Sequence, residues 1–384
     1  MKIMTTQKAR KIQTLYTWMR ILLLVLFLTF LYAASAHAQG SSDSPRGMEE
    51  RLTRLEKMMQ SKTSKFMPGL HGILRGKFEY EPDLNAGRFE VRNARLSVVG
   101  KLPLCSEYKM EIDLCDEGEM KMKDAWVRVT PWKTLRLSLG QQRMPFSIDA
   151  HRNPSAQFFA NRSFIAKQVG DMRDVGFLAG FDFTDRKQRK VASLDAGIFN
   201  GSNLNNQKSA WFTSPGYSAR LQYYPVPGLS LVPSVQHQQI ADRQASYTSL
   251  DMGVSFQRKG WLVEAEFLHK FYAKDAFHDC NALNTMLGYD QFLKKEKSLV
   301  ESIGYLARYD YMQDHSSGNS GMAGSLLTLT DAERHRLTLG VTFALRNPYF
   351  PTHLRLNYEK YWYPHGGAKE SEQDKLVCEL MIKF

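Results

Sequence analysis

Cysteine is scarce, with four residues in a chain of 384. Cys105 and Cys115 stand at opposite ends of one alternating run, about 30 Å apart at the rise of a strand, so they cannot bridge each other. No disulfide framework is indicated, and no Cys/His spacing resembles a zinc site. Long apolar runs are also missing: after residue 36 none reaches the roughly 18–20 residues of a spanning helix. Charge of one sign is lacking too. The formal net charge is +12, but residues 1–38 hold five bases and no acid, which leaves +7 on the rest, with Lys and Arg spread among many acids. A nucleic-acid partner would need a clustered basic face, so none is expected. No G-x-S-x-G elbow and no H-E-x-x-H pair occurs, and the histidines are scattered. Neither a catalytic constellation, nor a metal, nor a cofactor is expected, and the chain does not read as an enzyme.

The amino terminus reads as a secretory signal over residues 1–38. A basic stretch from Lys2 to Arg20 leads into the apolar run Ile21 to Leu31, and small residues end at Ala36, His37 and Ala38, so cleavage after Ala38 follows. An uncleaved anchor is the alternative. Residues 39–66 read as a polar linker and a short helix, where Met48, Leu52, Leu55 and Met59 have the 4-3-4 spacing of a coiled-coil seam. Under two heptads is marginal for a lone helix, so this segment either frays or associates with copies of itself.

Residues 67–384 read as the strand-rich domain, and from Gly72 onward the period changes to two. The spacing predicts strands over 72–81, 89–102, 106–115, 120–131, 135–146, 173–183, 190–201, 216–226, 229–240, 247–259, 261–272, 280–290, 298–312, 333–345, 352–363 and 373–384. Between Ser106 and Cys115, Tyr108, Met110, Ile112 and Leu114 share one face and Glu107, Lys109, Glu111 and Asp113 the other. In the last run Leu376, Cys378, Leu380, Ile382 and Phe384 face one way and Lys375, Glu379 and Lys383 the other. A mean hydropathy below zero is consistent with this, because the apolar half of each strand is hidden in the average. Alternation alone also suits a soluble sandwich, with polarity reversed. The number of long strands, the terminal Phe384 after an export signal, and connections that are short at one end (259–260) and long at the other (147–172, 202–215, 314–332) favour a membrane barrel. Aromatic residues at strand ends, among them Trp132, Tyr223, Trp261 and Trp362, suit its interfacial girdles. The fold class expected is therefore all-β: a transmembrane, antiparallel up-and-down β-barrel of 16 strands, preceded by the short helical coiled-coil segment.

Several motifs resemble a known family, the phosphate-selective porins of the O and P type. They are Phe89 to Leu96 with Gly100, Asp124 to Val127, Gly140 to Phe146, Arg173 to Gly176 with Gly180, and Ala196 to Gly201, with weaker likeness at Ala219 to Leu221 and Ala307 to Tyr309. The likeness spans most of residues 70–384. It implies a trimeric channel of the Gram-negative outer membrane, in contact with its lipids, with an infolded third loop and anion-selecting Arg and Lys. Such a channel passes small hydrophilic solutes, anions such as phosphate among them, by passive diffusion. The family's arginine motif on the second strand falls on Arg92 and Arg95, with Asn93 between them, and alternation turns Arg95 inward.

The residues expected to line or constrict the pore are Arg95, Arg128, Arg136 and, in the third loop, Arg152, Arg162 and Lys167. A guanidinium ring in a narrow passage replaces an anion's hydration with charge-assisted hydrogen bonds. Inward acids such as Glu107, Glu111, Asp113, Asp182 and Glu379 accompany these bases, so cross-strand pairs that brace the wall are the competing role. Residues 147–172 carry a net charge of only +1, a mild bias. A non-conducting barrel serving as scaffold or adhesin, and a barrel hydrolase, are the alternative functions.

Overall fold

The computed structural model describes residues 68–384, apart from 103–104, 117, 202–210, 212–214, 240–245, 294–297, 319–326 and 348. The signal peptide expected over 1–38 and the linker and coiled-coil helix expected over 39–66 lie outside the described residues.

Sixteen strands are present among the described residues: β1 (Gly69–Glu81), β2 (Ala86–Leu102), β3 (Ser106–Asp116), β4 (Glu119–Trp132), β5 (Leu135–Arg143), β6 (Arg173–Thr184), β7 (Lys190–Phe199), β8 (Gly216–Tyr223), β9 (Leu229–Gln239), β10 (Ser246–Arg258), β11 (Trp261–Tyr272), β12 (Cys280–Phe292), β13 (Val300–Met312), β14 (Arg334–Leu345), β15 (Thr352–Trp362) and β16 (Lys375–Lys383). Each pairs antiparallel with its sequence neighbours, and β1 pairs with β16 from Ile73↔Lys383 to Tyr80↔Leu376, which closes the barrel. Closure removes both sheet edges, as a lipid environment requires of every backbone N–H and C=O. Each predicted strand has its counterpart.

The alternation read from the sequence sets which side faces out. Leu376 and Leu380 on β16 are about half exposed, whereas Lys375, Val377, Glu379 and Met381 are buried. On β3, Lys109 reaches Glu111 and Asp124 inside the lumen while Met110 and Leu114 lie exposed outside. The connection between β10 and β11 is two residues, Lys259 and Gly260, with φ of 53° and 84°. Both positive values mark the type I′ hairpin, whose twist matches that of its strands.

One boundary differs in an informative way. The sequence extends the fifth strand to residue 146, but β5 stops at Arg143, and Met144 and Phe146 turn into the lumen with no exposed surface. Pro145 has no N–H to give the ladder, so the chain departs there and the third loop starts earlier, at residue 144. The long-loop end is also less uniform than its length pattern suggests, because β1–β2 and β3–β4 are joined there by residues 82–85 and 117–118 alone.

Candidate functional site

The site is the lumen around the third loop, residues 144–172, which folds inward. Its apolar residues explain why. Phe146, Phe164, Ile165 and Val169 form one buried cluster with Leu268, Ala282, Met312 and Tyr361 of the inner wall. Lower in the lumen, Phe159 packs with Leu262, Met286 and Leu306. The wall there is built to receive a ring: Leu262, Gly288, Leu306 and Gly340 are partners in direct succession across β11 to β14, so leucine and glycine alternate along one lumen-facing row. A Cβ on Gly340 would stand 3.1 Å from the Phe159 ring. Burying a phenylalanine is worth roughly 1.5–3 kcal/mol, so the two clusters contribute substantially to holding the loop against the wall.

Polar contacts fix its backbone. Ser147, at φ 63°, donates its N–H to Ser234 Oγ at 2.9 Å, and its carbonyl accepts from Arg220 Nε at 2.8 Å. Ile148 N–H donates to Glu266 Oε1 at 2.7 Å. Further along, four wall arginines donate to loop carbonyls: Arg75 to Ala160, Arg308 to Asn161, Arg336 to Arg162 and Arg355 to Gln157, at 2.6–2.9 Å. These buried guanidiniums also meet carboxylates. Arg75 and Arg355 share Glu379, and Arg308 and Arg336 share Asp310. Charges taken out of water need such partners.

Two chambers flank the loop. The one toward the long-loop end has a volume of about 470 Å³ and is lined by Lys77, Arg88, Arg92, Arg162, Lys167, Arg336 and Lys375 against Glu79, Glu90 and Glu372, a net charge of +4. The one toward the short-turn end, about 530 Å³, mixes Arg152, Arg220 and Arg355 with Glu264 and Asp290 and with apolar Ile148, Phe158, Val232, Leu262 and Leu306. Between them, at Phe158, Asn161 and Arg308, lies a cavity of about 10 Å³.

The structure disperses the six residues expected to line the pore. Arg162 and Lys167 border the upper chamber, and Arg152 the lower. Arg95, Arg128 and Arg136 sit in the wall of β2, β4 and β5. Arg95 is buried against Asp113 at 2.7 Å and Glu111 at 3.2 Å. Arg128 reaches Glu107 at 3.1 Å and lies over the Trp126 ring at 4.2 Å. Arg136 pairs with Asp182 and Asp195. Arg152 bridges Asp149 and Glu264, and Lys167 donates to Glu372 at 2.7 Å. Arg75 and Lys77 were not among the expected site residues, yet they share the inward parity of Glu79 on β1, and that signal was there to find. Lys375 likewise shares the inward parity of Glu379 on β16, but only the closed barrel sets it and Arg88 at one mouth.

At the base of the loop, three arginines, Arg143 at the end of β5, Arg173 at the start of β6 and Arg162 of the loop itself, converge on Asp171. Burial pushes that carboxyl up, but the three guanidiniums hold it well below the usual carboxylate range. Asp149 behaves alike: burial raises it, while Arg152, Arg308 and the Ser163 N–H bring it down to about 2. Burial, then Arg220 and Arg143, lowers His151 to about 3, so its imidazole is neutral at physiological pH.

Residues 76–256 match the family described as phosphate-selective porin O and P. The chain is an outer-membrane porin. The stretch matched runs from β1 to β10, so it covers most of the motifs that carried the resemblance. Solved structures share the porin's fold at low identity. An anion-selective porin from Comamonas acidovorans is 13% identical with a TM-score of 0.57, over 83% of this chain and 98% of its own. OmpF of Salmonella typhi, in complex with daunomycin, is 10% identical with a TM-score of 0.59 over the same shares. OmpT of Vibrio cholerae, in vitro folded and in its trimer form, is 9% identical with a TM-score of 0.54, again over 83% and 98%. No curated protein matches the porin by sequence.

Proposed function

We propose that the porin passes small hydrophilic solutes by passive diffusion, favours anions, phosphate among them, and works as a homotrimer. The observation that carries the anion preference is the upper chamber, whose seven bases face three acids. Every solute crossing the lumen meets its field, and low-dielectric walls focus that field on the passage. In this reading Arg162 and Lys167 set the field at the third loop, Arg152 extends it below, and Arg95, Arg128 and Arg136 act through the wall, weakened by their acid partners. The trimer draws support from the form in which OmpT was solved.

The test is single-channel recording in planar bilayers. Stepwise conductance with a reversal potential on the chloride side of a KCl gradient is expected, with phosphate reducing the chloride current. A cation-side potential would overturn the anion preference. A second reading, a non-conducting barrel, is favoured by one observation: the cavity between the chambers holds about one water. Absence of any conductance would establish it.

A further inference from the structure

Arg220 differs from the other buried arginines of the lumen. Arg75, Arg95, Arg143, Arg152, Arg173, Arg308, Arg334, Arg336 and Arg355 each have a carboxylate within ion-pair distance. Arg220, 7% exposed, has none among the described residues. Its Nε donates to the Ser147 carbonyl at 2.8 Å and its Nη1 to Gln222 Oε1 at 3.3 Å, both neutral acceptors, and among the described residues its Nη2 makes no hydrogen bond. The nearest carboxylates stand further off and are engaged elsewhere: Asp195 by Arg136, Glu266 by the Ile148 N–H, Asp251 by Ser234. A buried guanidinium without a counter-ion is costly. Its fixed geometry suits a carboxylate.

What surrounds it restricts the class of anion. Arg220 lines the lower chamber together with apolar Ile148, Val232, Leu262, Leu306 and Phe158. Arg220 on β8 pairs with Ser234 on β9, so Val232, two residues on, is its diagonal neighbour on the same face. Ile148 lies over Gly253, the strand partner of Val232, and a Cβ there would meet the Ile148 side chain at 2.5 Å. A cationic donor at one edge of an apolar floor is a poor seat for a fully hydrated inorganic ion. It matches a molecule with an anionic head and an apolar body.

We propose that the lower chamber is a binding subsite for small organic carboxylates with an apolar body, the carboxylate on Arg220 and the body over Val232, Ile148 and Leu306. The role of this subsite in transport rests on the anion-passing reading above; the binding does not.

The test uses the full barrel, purified in detergent, with benzoate, acetate and inorganic phosphate as probes in titration calorimetry. Benzoate is expected to bind about tenfold or more tightly than acetate, through its buried ring. Arg220→Gln should weaken benzoate by about tenfold or more, and Arg220→Lys, which keeps the charge, by less. Because Arg220 also holds Ser147, a second variant guards against a disturbed loop: Val232→Thr keeps the shape and should cut the benzoate-over-acetate preference while sparing acetate. Equal affinity for the three probes, or benzoate binding unchanged in both Arg220→Gln and Val232→Thr, overturns the proposal. A barrel that passes no KCl current yet binds benzoate through Arg220 overturns the channel reading and leaves the subsite standing.

Discussion

Arg75 on the first strand and Glu379 on the last are joined inside the barrel, with Nε at 2.8 Å and Nη2 at 2.5 Å from the same carboxylate oxygen. The seam between β1 and β16 thus carries an ion pair as well as a backbone ladder, and Arg355 on β15 shares that carboxylate. Glu379→Gln would leave two buried guanidiniums short of a counter-ion, at a cost of about 3–5 kcal/mol. A lower urea midpoint in detergent, or loss of the folded band on unheated gels at a lower temperature, is the expected outcome. An unchanged midpoint would show that the ladder alone holds the seam.

Phe159 is the ring that fills the Leu262–Leu306 slot. Phe159→Ala should cost roughly 3–5 kcal/mol of loop docking and spare the barrel, whose strands pair without it. Single-channel traces should become noisier and larger, and a protease should cut within residues 144–172. Traces and cleavage like those of the unaltered protein would argue that the upper cluster around Phe164 suffices.

Glu372, between β15 and β16, ties the third loop through Lys167 at 2.7 Å and meets Arg334 at 2.9 Å. Burial raises its carboxyl, but Arg334 and Lys167 outweigh that and bring it down to about 2. A carboxyl depressed in the folded state stabilises fully above its ordinary value of 4.5 and loses that contribution as pH falls through about 2. Current noise should therefore stay constant from pH 7 to 5 and rise between pH 4.5 and 2. Glu372→Gln should show the raised noise already at pH 7, and a flat profile in the unaltered protein would rule the tie out.

Arg88 and Lys167 are the two bases of the upper chamber whose side chains are roughly half exposed, at 56% and 45%. Replacing both with glutamate removes four charges from a net of +4. The reversal potential should move toward the cation side, and the shift should shrink at high salt, as screening of exposed charges requires. If selectivity is unaffected, the field that matters lies elsewhere in the lumen.

The barrel was legible because its determinant is local. Alternation of apolar and charged residues is a property of each strand by itself, and Tyr108 to Leu114 or Leu376 to Ile382 fix their own facing whatever their neighbours do. The site was legible only in part. Parity turned Arg95 inward, but whether an inward arginine faces solute or a carboxylate depends on the strand beside it, and Asp113 takes Arg95. The early turn at Pro145 was hidden because Met144 and Phe146 keep the period of a strand while serving as anchors of a loop.

The sequence by itself determined the number of strands, which side of each meets lipid, and that a long loop rich in phenylalanine follows the fifth, since periods of two and apolar composition act over a few residues. Only the tertiary structure decided which charges neutralise each other. Arg75 and Glu379 are 304 residues apart and meet because the first strand closes on the last. Among the buried arginines described, Arg220 lacks a carboxylate within ion-pair distance although Asp195 is its partner on β7, because Asp195 is held by Arg136 while the third loop and β8 offer Arg220 only the neutral acceptors Ser147 and Gln222. Long-range pairing is a product of closure, and no period in the chain encodes it.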